Sequence, residues 1–210
     1  LDEVDHNNTE KTRRRYDRIA PVYDLMEGIA EHRVMRGWRE RLWSMVDGRR
    51  ILEVGVGTGK NIRFYPPGAE VVAIDFSPAM LARARALAAR ENVVADLRRM
   101  NVEHLEFPDG CFDAVVTSCV FCSVPDPVQG FREIRRVLRP EGRGYFLEHV
   151  LSRRRMVKPA MQALNPVVVR MMGANIDRNT RQNLERTGLL VESETDLWTD
   201  IVKLFIVRSQ

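Results

Sequence analysis

Residues 51–75, "ILEVGVGTGKNIRFYPPGAEVVAID", combine an apolar run, three alternating glycines and, about twenty residues on, a lone acid. Residues 50–54 are apolar enough for a short buried strand, and 70–75 form a second. Between them "YPPG" stops a brief helix over 58–64. Two strands joined through a helix lie parallel with a right-handed crossover. In an open parallel sheet the ligand sits beyond the carboxyl ends of the strands. Gly55-Val56-Gly57-Thr58-Gly59 then forms the floor of that crevice, because glycine admits positive φ and lets a ligand touch the main chain. Asp75 ends the neighbouring strand, where its carboxylate can accept two hydrogen bonds from a ribose diol.

The alternation continues along the chain. Ser77-Pro78 supplies a hydroxyl N-cap and a proline at the first helical position, leading "AMLARARALAARE". A third strand over 96–101 is less apolar and is placed nearer an edge. "FDAVVTSCV" is a fourth strand, 126–138 a helix ended by "RPEG", and "RGYFLEHV" a fifth strand. Residues 155–172 and 179–187 read as helices, and 189–197 with 201–208 as two strands close enough to pair antiparallel. The first residues are polar, and Lys11 to Met45 has a helical pattern broken at Ala20-Pro21 and near Gly28. The expected fold is α/β, a doubly wound, mostly parallel sheet covered on both faces, with an N-terminal helical cap over 11–45 and an insertion over 151–188. All of 1–210 is read as one domain.

Composition narrows the function classes. The 210 residues are 44% hydrophobic, enough for one well-buried domain. The net charge of +4 comes with 29 acidic residues, which argues against a dedicated nucleic-acid binder. No apolar run reaches the roughly 20 residues of a membrane-spanning helix. The sequence begins at Leu1 rather than Met, which leaves a native start or a removed targeting segment open. Three cysteines give no disulfide framework. Cys119 and Cys122 form a C-x-x-C with no second ligand pair for zinc, at a strand end rather than at a helix start. They are read as apolar packing residues, no metal is expected, and a reducing, cytoplasmic setting fits.

Two ligands compete for the glycine loop. The dinucleotide fingerprint G-x-G-x-x-G would place its third glycine at position 60, which is Lys60. Here the spacing is G-x-G-x-G, preceded by Glu53. An acid at that point repels a pyrophosphate and suits a cation. S-adenosylmethionine (SAM) carries an ammonium and a sulfonium, which Glu53 can serve directly or through water.

"ILEVGVGTGKN", "AIDFSPAMLARAR", "NVEHLEFPDGCFDAVVTSCV" and "EIRRVLRPEG" together resemble the successive motifs of class I SAM-dependent methyltransferases, in the branch with quinone-biosynthesis and bacterial phospholipid N-methyltransferases. The resemblance covers roughly 11–150. It implies a Rossmann-like, seven-stranded sheet whose last strand is antiparallel, with SAM as methyl donor and S-adenosylhomocysteine as product. Carried over by position, it implies that Glu53, Gly55 and Gly57 line the methionine part and that Asp75 holds the ribose. Phe76 or Met80 packs on the adenine, and the Val102 amide meets a ring nitrogen. Asn101 stands where the family usually has an aspartate, so the adenine amino group would lose a charged acceptor. Ser118 falls near the transferred methyl.

"RRRYDRIAPVYDLMEGI" resembles the family's Tyr-Asp-x-x-Ala-x-x-Tyr-Asp cap. Tyr16 and Tyr23 each offer a ring to a sulfonium and a hydroxyl to an acceptor, or they simply anchor the cap. Of Glu148 and His149 at the end of the fifth strand, at most one points at a substrate, since strand neighbours face opposite ways. His149 is the candidate proton acceptor, and His104 is expected at the surface. The acceptor is expected to be small or lipid-like: a phospholipid amine first, a hydrophobic thiol second, a quinone-precursor carbon third. "NIDRNTRQNLERTG" and "FYPPG" are similar to animal methyltransferase-like proteins that methylate thiols at membranes. Arg153, Arg154, Arg155 and Lys158 form a basic run before Met-rich helix material, suited to peripheral contact with an anionic membrane or to a solvated turn. A nicotinamide oxidoreductase and a SAM-binding regulator without turnover are the competing classes.

Overall fold

The computed structural model describes residues 9–18, 20 and 34–209. Residues 9–18 form helix α1, and Arg36–Ser44 forms α2. Strand β1 (Arg50–Val54) follows, then a 3₁₀ turn at Ile62–Phe64 and β2 (Glu70–Asp75). Next come α3 (Pro78–Glu91), β3 (Asp96–Arg99), β4 (Phe112–Ser118), α4 (Pro127–Val137) and β5 (Leu138–His149). The chain continues through α5 (Val157–Met172), α6 (Thr180–Arg186), β6 (Leu190–Trp198) and β7 (Val202–Arg208).

The seven strands lie in the order β3-β2-β1-β4-β5-β7-β6. β1 pairs in parallel with β2 and β4, and β7 runs antiparallel to both β5 and β6. The last strand is therefore the reversed one, as the family resemblance implies. β3 is an edge strand. Its sequence Asp96-Leu97-Arg98-Arg99 places charge where an unpaired edge meets water.

Local chemistry fixes the helix starts. The Ser77 hydroxyl accepts from the Met80 amide at 3.1 Å, and Pro78 takes the first helical position of α3. Asp126 caps α4 in the same way, accepting from the Val128 and Gln129 amides at 3.0 Å before Pro127 commits the helix. One boundary departs from expectation. "RPEG" does not stand between helix and strand; α4 passes straight into β5 at Leu138, and 139–142 loop out of the ladder opposite Phe112 and Ala114. Glu141 takes φ 64° there, and a Cβ on Gly142 would lie 2.8 Å from the Arg139 carbonyl oxygen. β3 also stops short of position 101, because the chain turns over at Asn101.

Apolar residues alternate between the two faces of the sheet. Leu52, Val54, Val72, Val115 and Phe146 pack with Phe131 and Ile134 of α4 and Leu184 of α6. Ile51, Ala114, Val116 and Leu147 pack with Leu42 and Trp43 of α2. Helix α1 is tied to the carboxyl end of the sheet: Asp17 accepts from the Ser77 hydroxyl at 2.6 Å, and the Thr9 hydroxyl donates to Glu103 at 3.1 Å. Within the segment 11–45 expected as a cap, α1 lies at the carboxyl end of the sheet and α2 packs on one of its faces; Tyr23 lies outside the described residues.

Candidate active site

A cleft opens where the connections leaving β1 and β4 diverge. Its walls include Gly55, Gly57, Asp75, Phe76, Met80, Asn101, Val102 and Ser118, with Thr9 and Tyr16 of α1 on top. The glycines serve it unequally. Gly57 has φ 56°, and the space where a Cβ would stand is open, so its main chain faces the cleft. Gly59 is turned away: a Cβ there would meet Ile62 Cδ1 at 2.7 Å and the Ala84 backbone at 3.1 Å, so this glycine lets the loop press against α3. Gly55 sits beneath Val120. Glu53, Val56 and Gly59 do not line the cleft surface.

Asp75 is buried and held by main chain. Its Oδ2 accepts from the Gly57 amide and its Oδ1 from the Ser77 amide, both at 2.9 Å. A carboxylate has roughly four acceptor positions, so two remain for a ligand. Burial pushes its pKa up to about 6 against those two amides. Asn101 is oriented by Glu103: its Nδ2 donates to Oε2 at 2.9 Å and its Oδ1 accepts from the Glu103 amide at 3.1 Å. Sequence reasoning passed over Glu103, because a two-residue turn contact has no period to reveal it.

Behind this wall lies a second layer, of which sequence reasoning found Glu53 but not its partners Asn61, Tyr65 and Arg39. Glu53 is fully buried and accepts from Asn61 Nδ2 at 2.6 Å and from the Tyr65 hydroxyl. Asn61 also reaches Ser118 Oγ at 3.2 Å, and its Oδ1 accepts from Arg39 at 3.2 Å. Burial drives the Glu53 pKa up to about 7 despite those donors. The glutamate therefore communicates with the cleft through Asn61 and Ser118. Asn61 lies within the quoted glycine stretch, but its reach back to Glu53 depends on the 3₁₀ turn.

Tyr16 lies over the cleft, edge-on to Phe76 with centroids 5.8 Å apart, and its hydroxyl is 2.6 Å from Ser123 Oγ. The Glu148–His149 pair splits as strand alternation requires. Glu148 is fully buried and accepts from Thr117 Oγ1 at 2.8 Å and from the Val120 and Phe121 amides at 3.2 Å, holding the loop after β4. His149 is half-buried away from the cleft lining; burial lowers its pKa, and its Nδ1 has no partner among the described residues. His104 is exposed. Cys119 lines the cleft with φ 57°, whereas Cys122 is buried, donates to the Cys119 carbonyl at 3.3 Å, and has its pKa pushed up to about 12. No acid, His and Cys cluster fit for a metal occurs among the described residues.

The donor set fits SAM. The cleft pairs a fixed carboxylate and bare main chain with apolar walls, and no lysine or arginine lines it among the described residues. A pyrophosphate would find no counter-charge there; a cationic nucleoside meets Asp75 with Glu53 behind.

A family model described as a methyltransferase domain matches residues 52–146. Human thiol S-methyltransferase TMT1A is 36% identical over 66% of this chain and 59% of its own length. A phosphatidylethanolamine N-methyltransferase of Cereibacter sphaeroides is 39% identical over 65% of this chain and 66% of its own. The chain thus spans under two thirds of the length of both. Among solved structures, geranyl diphosphate C-methyltransferase from Streptomyces coelicolor superposes with a TM-score of 0.71 at 15% identity, over 85% of this chain and 80% of that one, a likeness of fold. A demethylmenaquinone methyltransferase of Lactiplantibacillus plantarum is 34% identical over 75% of this chain and 70% of its own length. With that coverage, and with the strand order and cleft described above, the chain belongs to the class I SAM-dependent methyltransferases.

Proposed function

We propose that this methyltransferase moves the methyl group of SAM to a small or lipid-like acceptor, first an amine such as a phosphatidylethanolamine-type headgroup. The observation that carries the reading is a cleft with Asp75 fixed by two amides and, among the described residues, no lysine or arginine in its lining to receive the pyrophosphate of a dinucleotide. Likeness to a phosphatidylethanolamine N-methyltransferase supports the amine. Likeness to a thiol S-methyltransferase supports a hydrophobic thiol as second reading, and the demethylmenaquinone relative a quinone-type carbon as third.

When bound, SAM supplies an electrophilic methyl on a sulfonium. In this reading Asp75 accepts from the ribose diol, and Gly55 and Gly57 let the methionine part lie on main chain. Phe76, Met80 and Val102 wall the adenine, with Asn101 Oδ1 toward its amino group. Glu53 offers negative charge through Asn61 and Ser118. Tyr16 closes the top and excludes water; Tyr23, outside the described residues, is the second candidate for that role. Holding acceptor, methyl and sulfur in line contributes on the order of 7–11 kcal/mol by effective molarity. An amine that arrives as an ammonium needs a base; His149, whose pKa burial lowers, is the candidate, and from its place outside the cleft lining it would have to act through an intervening group. Residues 11–45 act as cap and 151–188 as the acceptor-side insertion of one domain over 1–210. Its setting is cytoplasmic, reaching lipids from the membrane surface; no helix among the described residues is long and apolar enough to cross one.

Calorimetry with SAM and S-adenosylhomocysteine tests the cofactor, and Asp75→Ala should weaken uptake by about tenfold or more. Labelled SAM offered with panels of lipids, amines and thiols then identifies the acceptor. No uptake of either nucleoside overturns the reading, and uptake without transfer to any acceptor makes the protein a SAM-binding regulator.

A further inference from the structure

Residues 150–176 hold five basic side chains, Arg153, Arg154, Arg155, Lys158 and Arg170, and no aspartate or glutamate, in a chain with 29 acids. Helix α5 fills most of this stretch. At 100° per residue, positions 156, 160, 163, 164 and 167 fall on one stripe. All five are apolar and exposed, Met156 by 84%, Leu164 by 56% and Val167 by 54%. The other side of the helix faces the body: Met161 is buried, and Asn165 Oδ1 accepts from the Ile176 amide at 2.8 Å. Contiguous exposed apolar surface of this kind marks an interaction site.

Charge decides what covers it. Arg153 reaches Glu194 of β6 at 3.0 Å and Arg154 lies 3.6 Å from Asp200 in the β6–β7 turn, so two of the cations are partly answered. Arg155, Lys158 and Arg170 are exposed and make no ion pair among the described residues. A second copy of the chain would set these cations against their own images, and a neutral apolar partner would leave them unmatched. An exposed apolar stripe with Arg170 at its edge, entered through a basic, acid-free turn that carries Arg155 and Lys158, is what a negatively charged bilayer surface takes up.

We propose that α5 is the docking surface for an anionic lipid bilayer, its Leu164–Val167 stripe set among the acyl chains, and that it presents a lipid-borne acceptor to the cofactor cleft. The second half rests on the lipid-acceptor reading above. The connection to the cleft is short. The Asn175 amide and its Nδ2 donate to the Cys122 carbonyl at 2.8 and 3.1 Å, and Arg178 donates to the Val124 carbonyl at 2.7 Å. Ser123 and Val124 of that run line the cleft. Arg15 of α1 donates to the Val169 carbonyl at 3.0 Å, tying the cap to the same helix.

The test is co-sedimentation of the full chain with vesicles of phosphatidylcholine alone and of phosphatidylcholine mixed with phosphatidylglycerol. The protein should pellet with the anionic vesicles only, and less so as salt rises. Leu164→Glu/Val167→Glu should lower partitioning by about tenfold or more, and Arg155→Glu/Lys158→Glu severalfold. SAM uptake by calorimetry should be unchanged in both variants, which also shows that they fold. Absence from both pellets, equal pelleting with both vesicles, or unaltered pelleting of the Leu164→Glu/Val167→Glu variant overturns the proposal. A dimer in sedimentation equilibrium that this variant abolishes, without vesicle binding, assigns the face to a second copy instead. Vesicle binding without any SAM uptake would sink the methyltransferase reading and leave the docking surface standing.

Discussion

The buried Glu103 gathers three donors: the Asp126 amide at 2.7 Å, Asn101 Nδ2 at 2.9 Å and the Thr9 hydroxyl at 3.1 Å. With that carboxylate in place, the residue at 101 has to be neutral on the side facing it. An aspartate there, as the family pattern has it, would set two carboxylates together in a site with little water, and one would have to take up a proton. Asn101→Asp should therefore cost about 1–3 kcal/mol in thermal unfolding without tightening SAM binding. Asn101→Asp/Glu103→Gln should recover most of that loss, since the glutamine amide can donate to the new carboxylate. A single variant that melts higher or binds SAM more tightly than the parent would refute this account. The sequence marks position 101 as unusual and cannot say why, because the reason is a side chain two residues away across a turn.

At the scale of elements, the loop after β1 separates folding from binding within five residues. An alanine at 59 would press into Ile62 and the Ala84 backbone at φ 91°, whereas one at 57 would enter open cleft at φ 56°. Gly59→Ala should lower the melting temperature sharply. Gly57→Ala should cost only the roughly 1–2 kcal/mol of a left-handed residue while weakening SAM uptake more. Equal losses of affinity in the two, read by calorimetry beside the melts, would put both glycines on the ligand. The cap makes its own prediction. Tyr16→Phe and Ser123→Ala each remove one end of the same 2.6 Å bond, so each should weaken SAM binding by about 1 kcal/mol and the double variant by no more. Additive losses would mean that the two side chains act separately. Element starts were legible wherever a side chain caps its own helix, as at Ser77-Pro78 and Asp126-Pro127. The start of β5 was not, because "RPEG" reads as a terminator from its own residues and becomes a bulge only through pairing with β4.

Across the whole molecule, the alternating segments reveal a parallel sheet and an antiparallel pairing of the last two strands, while seven strands with the last one reversed is what the family resemblance implies; the strand order comes from the structure alone. The buried charges are not legible in the segments either, since burial depends on what every other element covers. Glu53 and Glu148 have pKa values raised to about 7 and Asp75 to about 6, in each case chiefly by burial. The native state therefore holds protons that the unfolded chain, with ordinary carboxylates, releases near pH 4. The stabilisation from these three groups is complete below that range and is lost as pH rises through about 6 to 7. His149 opposes them: burial lowers its pKa, so below its ordinary 6.5 the unfolded chain binds a proton that the native state refuses, and stability rises with pH there. Glu133, Asp113, Glu194 and Asp200 have lowered values and act at more acid pH. Three carboxylates against one histidine give a net fall, so the ligand-free protein should melt lower at about pH 8 than at about pH 5.5. A bound cation favours ionised Asp75 and Glu53 and reverses part of that fall, so the rise in melting temperature from saturating SAM should be larger at the higher pH. Glu148→Gln separates the two effects. Glutamine has one acceptor oxygen for the three donors at that site, so the variant should be less stable overall and its ligand-free slope flatter, with the pH dependence of the SAM increment retained. An increment from SAM that is the same at both pH values would mean that neither Asp75 nor Glu53 meets the charge of the ligand.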